Sequence, residues 1–350
     1  MEAIIYFSLP FVLYLMAKMH FKGGLDFVYI FFMATILSLY GALNSNLPDY
    51  EAYRVLFNSV SLGFEDGFYG EAGYFLLSKL ISFITQDYMV YRYIFSVIFL
   101  SIIIFVYKKV NISYSYSIFF FMCYLFYIDI FLLRHLASSS LILLSLYLLS
   151  RSKVFYSFLA FIFSVTFHYI SLVFLPVYIL YILRNNNLAV FYWIFFGLAS
   201  FIALTGGLGN TLANLLIPVG LGRVSEQLFL YTDGGYSQYS VGLTVLSGTV
   251  FFQVLVLMIF LIFFKKIRSK YKLSFDVFFS AYFLAVFYFL IFIDFSIVAG
   301  RSNLILLISL PVLVSFALGI IKNSEFKNIV RLFFLLGTFS LLIFLPRISF

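Results

Sequence analysis

Arg134 and His135 open one long apolar run of this chain, Arg301 opens another, and Arg223 lies in the middle of a long loop. An arginine at the start of a helix adds a bidentate fork to the free backbone N–H groups and the positive end of the helix dipole. Two such positions, Arg134 and Arg301, could clamp a pyrophosphate. The plainer reading is an arginine that snorkels to lipid headgroups. Arg54 is a fifth basic candidate. His168, where two apolar runs meet, can serve as a base, a phosphate donor or a satisfied interface histidine. Asp49, Glu51, Glu65, Asp66, Glu71 and Asp87 crowd one loop. A carboxylate can act as general base on a sugar hydroxyl or bind a divalent metal, although a lone loop acid is usually just solvated. Asp49 and Glu71 stand out because aromatics flank them, Tyr50, Tyr53 and Phe57 for the first, Tyr69 and Tyr74 for the second. Aromatic faces beside carboxylates suit sugars, and tyrosine is also common at any membrane interface. The catalytic candidates are therefore Asp49, Glu71 and His168. The binding candidates are Tyr53, Arg54, Tyr74, Arg134, His135, Arg223 and Arg301.

The elements that must position these groups are membrane helices. The chain is 64% hydrophobic and 10% charged, with a mean hydropathy of +1.10. No soluble domain keeps that much apolar surface dry. The pattern predicts an all-α polytopic membrane protein in which residues 1–350 form a single integral membrane domain. About twelve spans of roughly 20 residues consume most of the length. They fall at 3–20, 25–43, 88–107, 112–131, 133–150, 154–168, 169–184, 188–205, 241–264, 274–293, 302–321 and 329–346. The first is read as a retained span rather than a cleaved signal, since no basic n-region or small-residue cleavage site marks it. Residues 72–85 are too short to span, and 210–231 are broken by Pro218, Gly220 and Gly222. Both read as re-entrant or interfacial helices in two long extracytoplasmic loops, 44–87 and 206–240.

Charge supports this map. With the N-terminus outside, the inner side holds fifteen Lys/Arg and three acids, and the outer side seven Lys/Arg and eleven acids. That asymmetry obeys the positive-inside rule. The net charge of +8 is thus a topology signal and points to no nucleic acid. The material for chemistry lies on the outer face. Cys123 is the sole cysteine, so no intrachain disulfide forms. No Cys/His cluster has metal-ligand spacing, no GxxxxGK[ST] run is present, and Gly206-Gly207-Leu208-Gly209 follows no strand, so it is no dinucleotide fingerprint. The sequence predicts no cofactor and no metal.

The order of these motifs carries a resemblance. Asp49, Tyr53 and Phe57 are followed by Glu71, Gly73 and Tyr74. Next come Arg134-His135-Leu136-Ala137 at a span start and Phe167-His168-Tyr169-Ile170-Ser171, with Pro176 eight residues past the histidine. Arg301 then precedes a Leu-rich span ending near Pro311. This series resembles the EpsG-like branch of the Wzy-type polysaccharide polymerases over most of residues 44–312. Two departures are His135 where glutamine is more usual and the lack of a tyrosine soon after Arg301. The resemblance implies polymerisation in O-antigen, capsule or exopolysaccharide assembly, on the outer face of the bacterial inner (plasma) membrane. A growing glycan leaves its undecaprenyl pyrophosphate and joins a sugar hydroxyl of a new undecaprenyl-pyrophosphate-linked oligosaccharide. It also implies a flippase and a chain-length regulator as partners, in a setting of membrane lipid. Arg134, His135, Arg223 and Arg301 would face the leaving pyrophosphate. Asp49, Glu71 and His168 remain unranked as the base.

Other readings stay open. A glycosyltransferase using a polyprenyl-monophosphate sugar would employ Asp49-Tyr50-Glu51 as a D-x-E pair. A lipid-linked oligosaccharide flippase should line a path through the membrane centre with charge, whereas acids such as Asp129 and Asp294 lie near outer ends. Topology alone does not separate a ligase or acyltransferase.

Overall fold

The computed structural model describes residues 25–43, 50–63, 71–110, 117–118, 120–122, 125, 132–185, 188–209, 211, 215 and 248–321. Every regular element among them is helical. They are α1 (Leu25–Leu43), α2 (Tyr50–Ser61), α3 (Ala72–Ser82), α4 (Tyr88–Val110), α5 (Leu133–Ser150) and α6 (Val154–Phe167). A 3-10 turn, Tyr169–Phe174, leads to α7 (Leu175–Ile182). Then follow α8 (Leu188–Leu204), α9 (Gly248–Ile262), α10 (Phe264–Ile291), α11 (Ser296–Leu307) and α12 (Leu310–Ile320).

Three of these, α4, α5 and α10, are long and apolar enough to cross a membrane, and the pair Val298–Leu307 and Leu310–Ile320, bent by 48°, makes a fourth candidate. Val28–Leu43, Val154–Phe167, Tyr169–Ile182, Leu188–Leu204 and Gly248–Ile262 are shorter apolar helices. The expected spans 3–20 and 329–346, and most of 112–131, lie outside the described residues. Phe163, Ile194 and Phe201 are 59%, 63% and 65% exposed. Such side chains are unstable against water and suited to lipid. The 11-residue α3 reaches about 16 Å, about half a bilayer core.

Hydropathy is continuous across breaks that the backbone makes. The expected span 169–184 begins as a 3-10 turn before α7. The expected span 274–293 is the second part of α10, which runs back through the basic segment and leaves helical geometry at Lys272 (φ 46, ψ −124). The expected span 302–321 is two helices. Pro311 lacks an N–H and cannot continue the ladder of a preceding turn. Two carbonyls at the break accept from other elements, Ile308 O from the Tyr107 hydroxyl at 3.1 Å and Pro311 O from Ser117 Oγ at 3.0 Å.

Local chemistry sets the helix ends. Asp87 caps α4, its Oδ1 accepting the N–H groups of Met89 at 2.7 Å and Val90 at 3.0 Å, and Lys108 and Lys109 close the last turn against the helix dipole. Gly206 and Gly207 take φ of 106° and 86°. A β-carbon at Gly207 would collide with Asp294, whose Oδ1 accepts the Gly209 N–H at 2.8 Å. The Gly-rich entry to the second loop is therefore a fixed turn around an acid.

Serines let α5, α6 and the 3-10 turn approach closely. Ser164 Oγ donates to Ser171 Oγ at 2.6 Å, lies 3.1 Å from Ser138 Oγ, and Ser138 also pairs with Ser171. Lower down, Ser145, Ser157 and the Tyr178 hydroxyl form a second trio at 2.9–3.1 Å. Small hydroxyl residues serve this purpose in apolar bundles, where backbone approach and interhelical hydrogen bonds replace the hydrophobic drive.

Candidate active site

Glu71 sits at the start of α3, where its backbone carbonyl accepts the Phe75 N–H at 3.1 Å. Its side chain does not cap the helix. The carboxylate turns instead into the bundle, 3% exposed, and both oxygens are taken. Arg134 Nη1 donates to Oε2 at 2.6 Å, and His168 Nδ1 lies 2.8 Å from Oε1. Burial alone would raise this carboxyl, but the hydrogen bond from His168 and the charge of Arg134 outweigh it and hold it below its usual range. An ionised carboxylate only accepts, so the proton between the two residues belongs to His168 Nδ1. The other ring nitrogen, Nε2, is then the basic one.

Three local features bring Glu71 and His168 together. The chain becomes extended at His168 (φ −158, ψ 115) between α6 and the 3-10 turn. Its N–H still bonds Ser164 O and its carbonyl accepts the Ser171 N–H, each at 3.0 Å, so the ring is carried on a bend closed from both sides. Gly73 lets α3 lie directly on the end of α6: a β-carbon there would collide with Thr166 Oγ1 and press on the Phe167 ring at 3.1 Å. Thr166 cannot easily yield, since its hydroxyl is held by Phe163 O at 2.7 Å.

Arg134, in the first turn of α5, has 29% of its side chain exposed, more than Glu71 or His168. Its Nε donates to the Tyr53 hydroxyl at 3.3 Å, and its guanidinium lies 5.5 Å from the Tyr53 ring centre. Tyr53 meets Tyr74 edge to face at 6.0 Å, and Tyr74 meets Phe95 at 5.6 Å. The tyrosines are therefore walls that orient the arginine. His135, buried beside Arg134, presents its ring to that of His168 at 6.4 Å between centroids and 72° between planes.

Arg301 does not open its helix as the apolar pattern predicts. Helix α11 begins at Ser296, so Arg301 is its sixth residue. It nevertheless acts electrostatically on both His135 and His168. Its direction is fixed from the other side of α11. Asn303 Nδ2 donates to Gln253 Oε1 at 2.6 Å and to Ala285 O at 3.0 Å, while Gln253 Nε2 donates back to Asn303 Oδ1 at 3.1 Å. Two residues along a helix turn it by about 200°, so an Asn303 locked toward α9 and α10 leaves Arg301 toward the histidines.

The structure thus gathers Tyr53, Glu71, Tyr74, Arg134, His135, His168 and Arg301. Arg54 is elsewhere, in an exposed pair with Glu51 at 2.7 Å. Asp49 and Arg223 lie outside the described residues. Sequence reasoning missed Arg92, which is 1% exposed and sits 5.4 Å from the centre of the Tyr50 ring. It interacts electrostatically with Tyr50, Tyr53, Tyr74 and Tyr88. An arginine four residues inside an expected span, with Tyr88 and Phe95 on its own helix face, was the available signal.

A family model described as the EpsG family matches residues 27–349, and the chain belongs to that family. No curated protein matches, and no solved structure matches. Family membership associates the chain with polysaccharide biosynthesis.

Proposed function

We propose that this EpsG-family protein is a polysaccharide polymerase acting on undecaprenyl-pyrophosphate-linked oligosaccharides at the outer face of the bacterial plasma membrane. The observation that carries the reading is the Glu71 carboxylate shared between Arg134 and His168, with Arg301 acting on the same histidine. Both Glu71 oxygens are engaged, by Arg134 and by His168, and the side chain is buried. Glu71 is a positioning residue that holds His168 in the tautomer with a basic Nε2 and fixes the Arg134 guanidinium beside it.

The sugar hydroxyl of the incoming repeat attacks the anomeric carbon of the growing chain and gives its proton to His168 Nε2. The bond from that carbon to the pyrophosphate oxygen breaks, and its electron pair leaves with the polyprenyl pyrophosphate. Negative charge grows on the departing oxygens in the transition state, where Arg134 and Arg301 are preset to meet it. Asp49 and Arg223 remain candidates for the same surface. Fixed cationic donors make the step metal-independent in this proposal.

The test is the chain-length ladder of the surface glycan in a deletion strain. The wild-type gene restores the ladder, and His168→Ala, Arg134→Ala and Arg301→Ala, at normal protein level, leave single repeat units. Near-normal ladders from the arginine variants would sink the pyrophosphate clamp. Repeats trapped on the inner face would indicate a flippase instead, and a normal ladder of altered repeat mass a branch-adding glycosyltransferase. Polymerisation in membranes treated with chelator should persist; loss rescued by Mg or Mn would remove the metal-independent step.

A further inference from the structure

The first part of α10 lines an open cavity of about 500 Å³ with Lys265, Arg268, Ser269, Lys272, Leu273 and Asp276, and Arg184, on the 3-10 turn Leu183–Asn185 after α7, completes the lining. The lining residues of α10 come from both sides of its break, Lys265, Arg268 and Ser269 before Lys272, and Leu273 and Asp276 after it, so the cavity sits at the kink. The volume lies in the range of pockets that hold small ligands. Four cations converge on it against one carboxylate, and that carboxylate is already committed. Asp276 accepts from Arg268 Nε on both oxygens, at 2.9 and 3.0 Å.

The arginines are pre-set. Arg268 Nη2 also donates to the Arg184 carbonyl at 2.8 Å, which fixes its plane. Arg184 is held by Nη1 to Tyr181 O at 2.8 Å and by its guanidinium 4.2 Å from the Tyr181 ring centre. Lys272 sits in the wall with a backbone (φ 46, ψ −124) that a residue with a β-carbon rarely adopts. Local strain of this kind persists where surrounding structure imposes it, and it concentrates at binding sites. The positive-inside rule asks only for basic residues near span ends. It does not ask for their convergence on one hollow, where like charges repel unless an anion joins them.

We propose that this cavity, at the end of the bundle assigned to the cytoplasm, binds a group carrying two phosphates. Lys265 and Lys272 supply flexible charge, while Arg268 and Arg184 supply oriented N–H donors. The group can arrive as the headgroup of a bis-phosphate lipid of the inner leaflet, a known use of basic pockets between membrane helices, or as a soluble diphosphate. The site does not depend on the polymerase reading, since it shares no residue with the Glu71 cluster.

Binding of inorganic pyrophosphate to the full-length protein in neutral lipid nanodiscs is measured by calorimetry. Retention of cardiolipin from mixed cardiolipin–phosphatidylcholine nanodiscs is measured by native mass spectrometry. Saturable pyrophosphate binding that depends on Lys265 and Lys272 identifies a soluble ligand, and cardiolipin retention alone that depends on them identifies a lipid headgroup; either supports the site, whereas pyrophosphate held at Arg134 and Arg301 would survive their loss. Lys265→Ala with Lys272→Ala should weaken whichever binds by at least about tenfold, since two charge-assisted contacts are lost. Lys265→Arg with Lys272→Arg should retain it, and Lys153→Ala, exposed and outside the cavity, should leave it unchanged. Neither probe binding to the wild type, or equal binding by the double alanine variant and the Lys153→Ala control, overturns the proposal.

Discussion

At one end of the bundle Glu71, 3% exposed, gives its two oxygens to two different partners, Arg134 and His168. At the other end Asp276, 7% exposed, receives Arg268 on both of its own. Each is a sunken carboxylate with an arginine, yet what surrounds them differs. Beside Glu71 stand two imidazoles and a wall of tyrosines, groups that can hold or pass a proton. Beside Asp276 stand further cations that no acid in the cavity balances. The first arrangement satisfies itself and presents a base. The second is left short of negative charge. The same pairing unit therefore serves proton chemistry at one end and charge attraction at the other, and the identity of the third partner decides which.

The largest effect that would sharpen this contrast is expected from Glu71→Ala. Removing it strands Arg134 and leaves His168 without its acceptor, which should cost about 3 kcal/mol of stability and abolish polymer. Thermal melts in detergent and the glycan ladder read the two effects. Glu71→Gln separates them: the fold recovers in part, while the neutral amide no longer fixes the tautomer. Full activity in the glutamine variant would break the positioning role.

Next in size is Gly73→Ala. The added carbon forces α3 away from Thr166 and Phe167, an overpacking change worth about 1–3 kcal/mol. Chain length should fall more than stability, because the shift separates Glu71 from His168. An unchanged ladder would show that the close approach is incidental.

Acid offers a third test. A carboxyl held low in the folded protein contributes stability above its unfolded value, about 4.3, and loses that contribution as pH falls through the folded value. Stability owed to Glu71 should therefore be intact at pH 5 and fade below about pH 4. A melt that loses a Glu71-dependent increment between pH 7 and 5 contradicts the pairing.

Asp276→Asn should cost less than Glu71→Ala, about 1 kcal/mol, since Arg268 is 36% exposed and water screens it. Smallest of all, Arg54→Ala breaks only an exposed pair with Glu51 and should stay within about 0.5 kcal/mol. A loss of polymer from Arg54→Ala at normal protein level would extend the site to the outer face of α2.

Much of the site was legible because charge is scarce in this chain. Glu71, Arg134 and His168 stand at the edges of apolar runs, where a polar group must have a reason to be. Their pairing was not legible. Glu71 and His168 are 97 residues apart, and only a glycine at 73 and an extended residue at 168 allow them to meet. The spans were legible as apolar runs but not as helices of given length, because hydropathy cannot see a 3-10 turn, a left-handed lysine or a proline-led restart. Arg301 shows the same blindness. The start of α11 at Ser296 precedes the long apolar run that begins after Arg301, and the apolar pattern alone placed the span start at 302. Arg92 is not legible as a site residue from sequence, because the tyrosines around it, Tyr50, Tyr53 and Tyr74, come from other elements.

The interruption at Ile308 and Ser309 has a further consequence. In an unbroken helix each inserted or deleted residue swings everything beyond it by about 100°, so the angular setting of every side chain is tied to every other. A restart with its carbonyls answered by Tyr107 and Ser117 cuts that tie. The segment bearing Arg301 and Asn303 keeps its own rotational phase, and α12 keeps another. Changes of length after the break can therefore accumulate without turning the arginine away from the histidines.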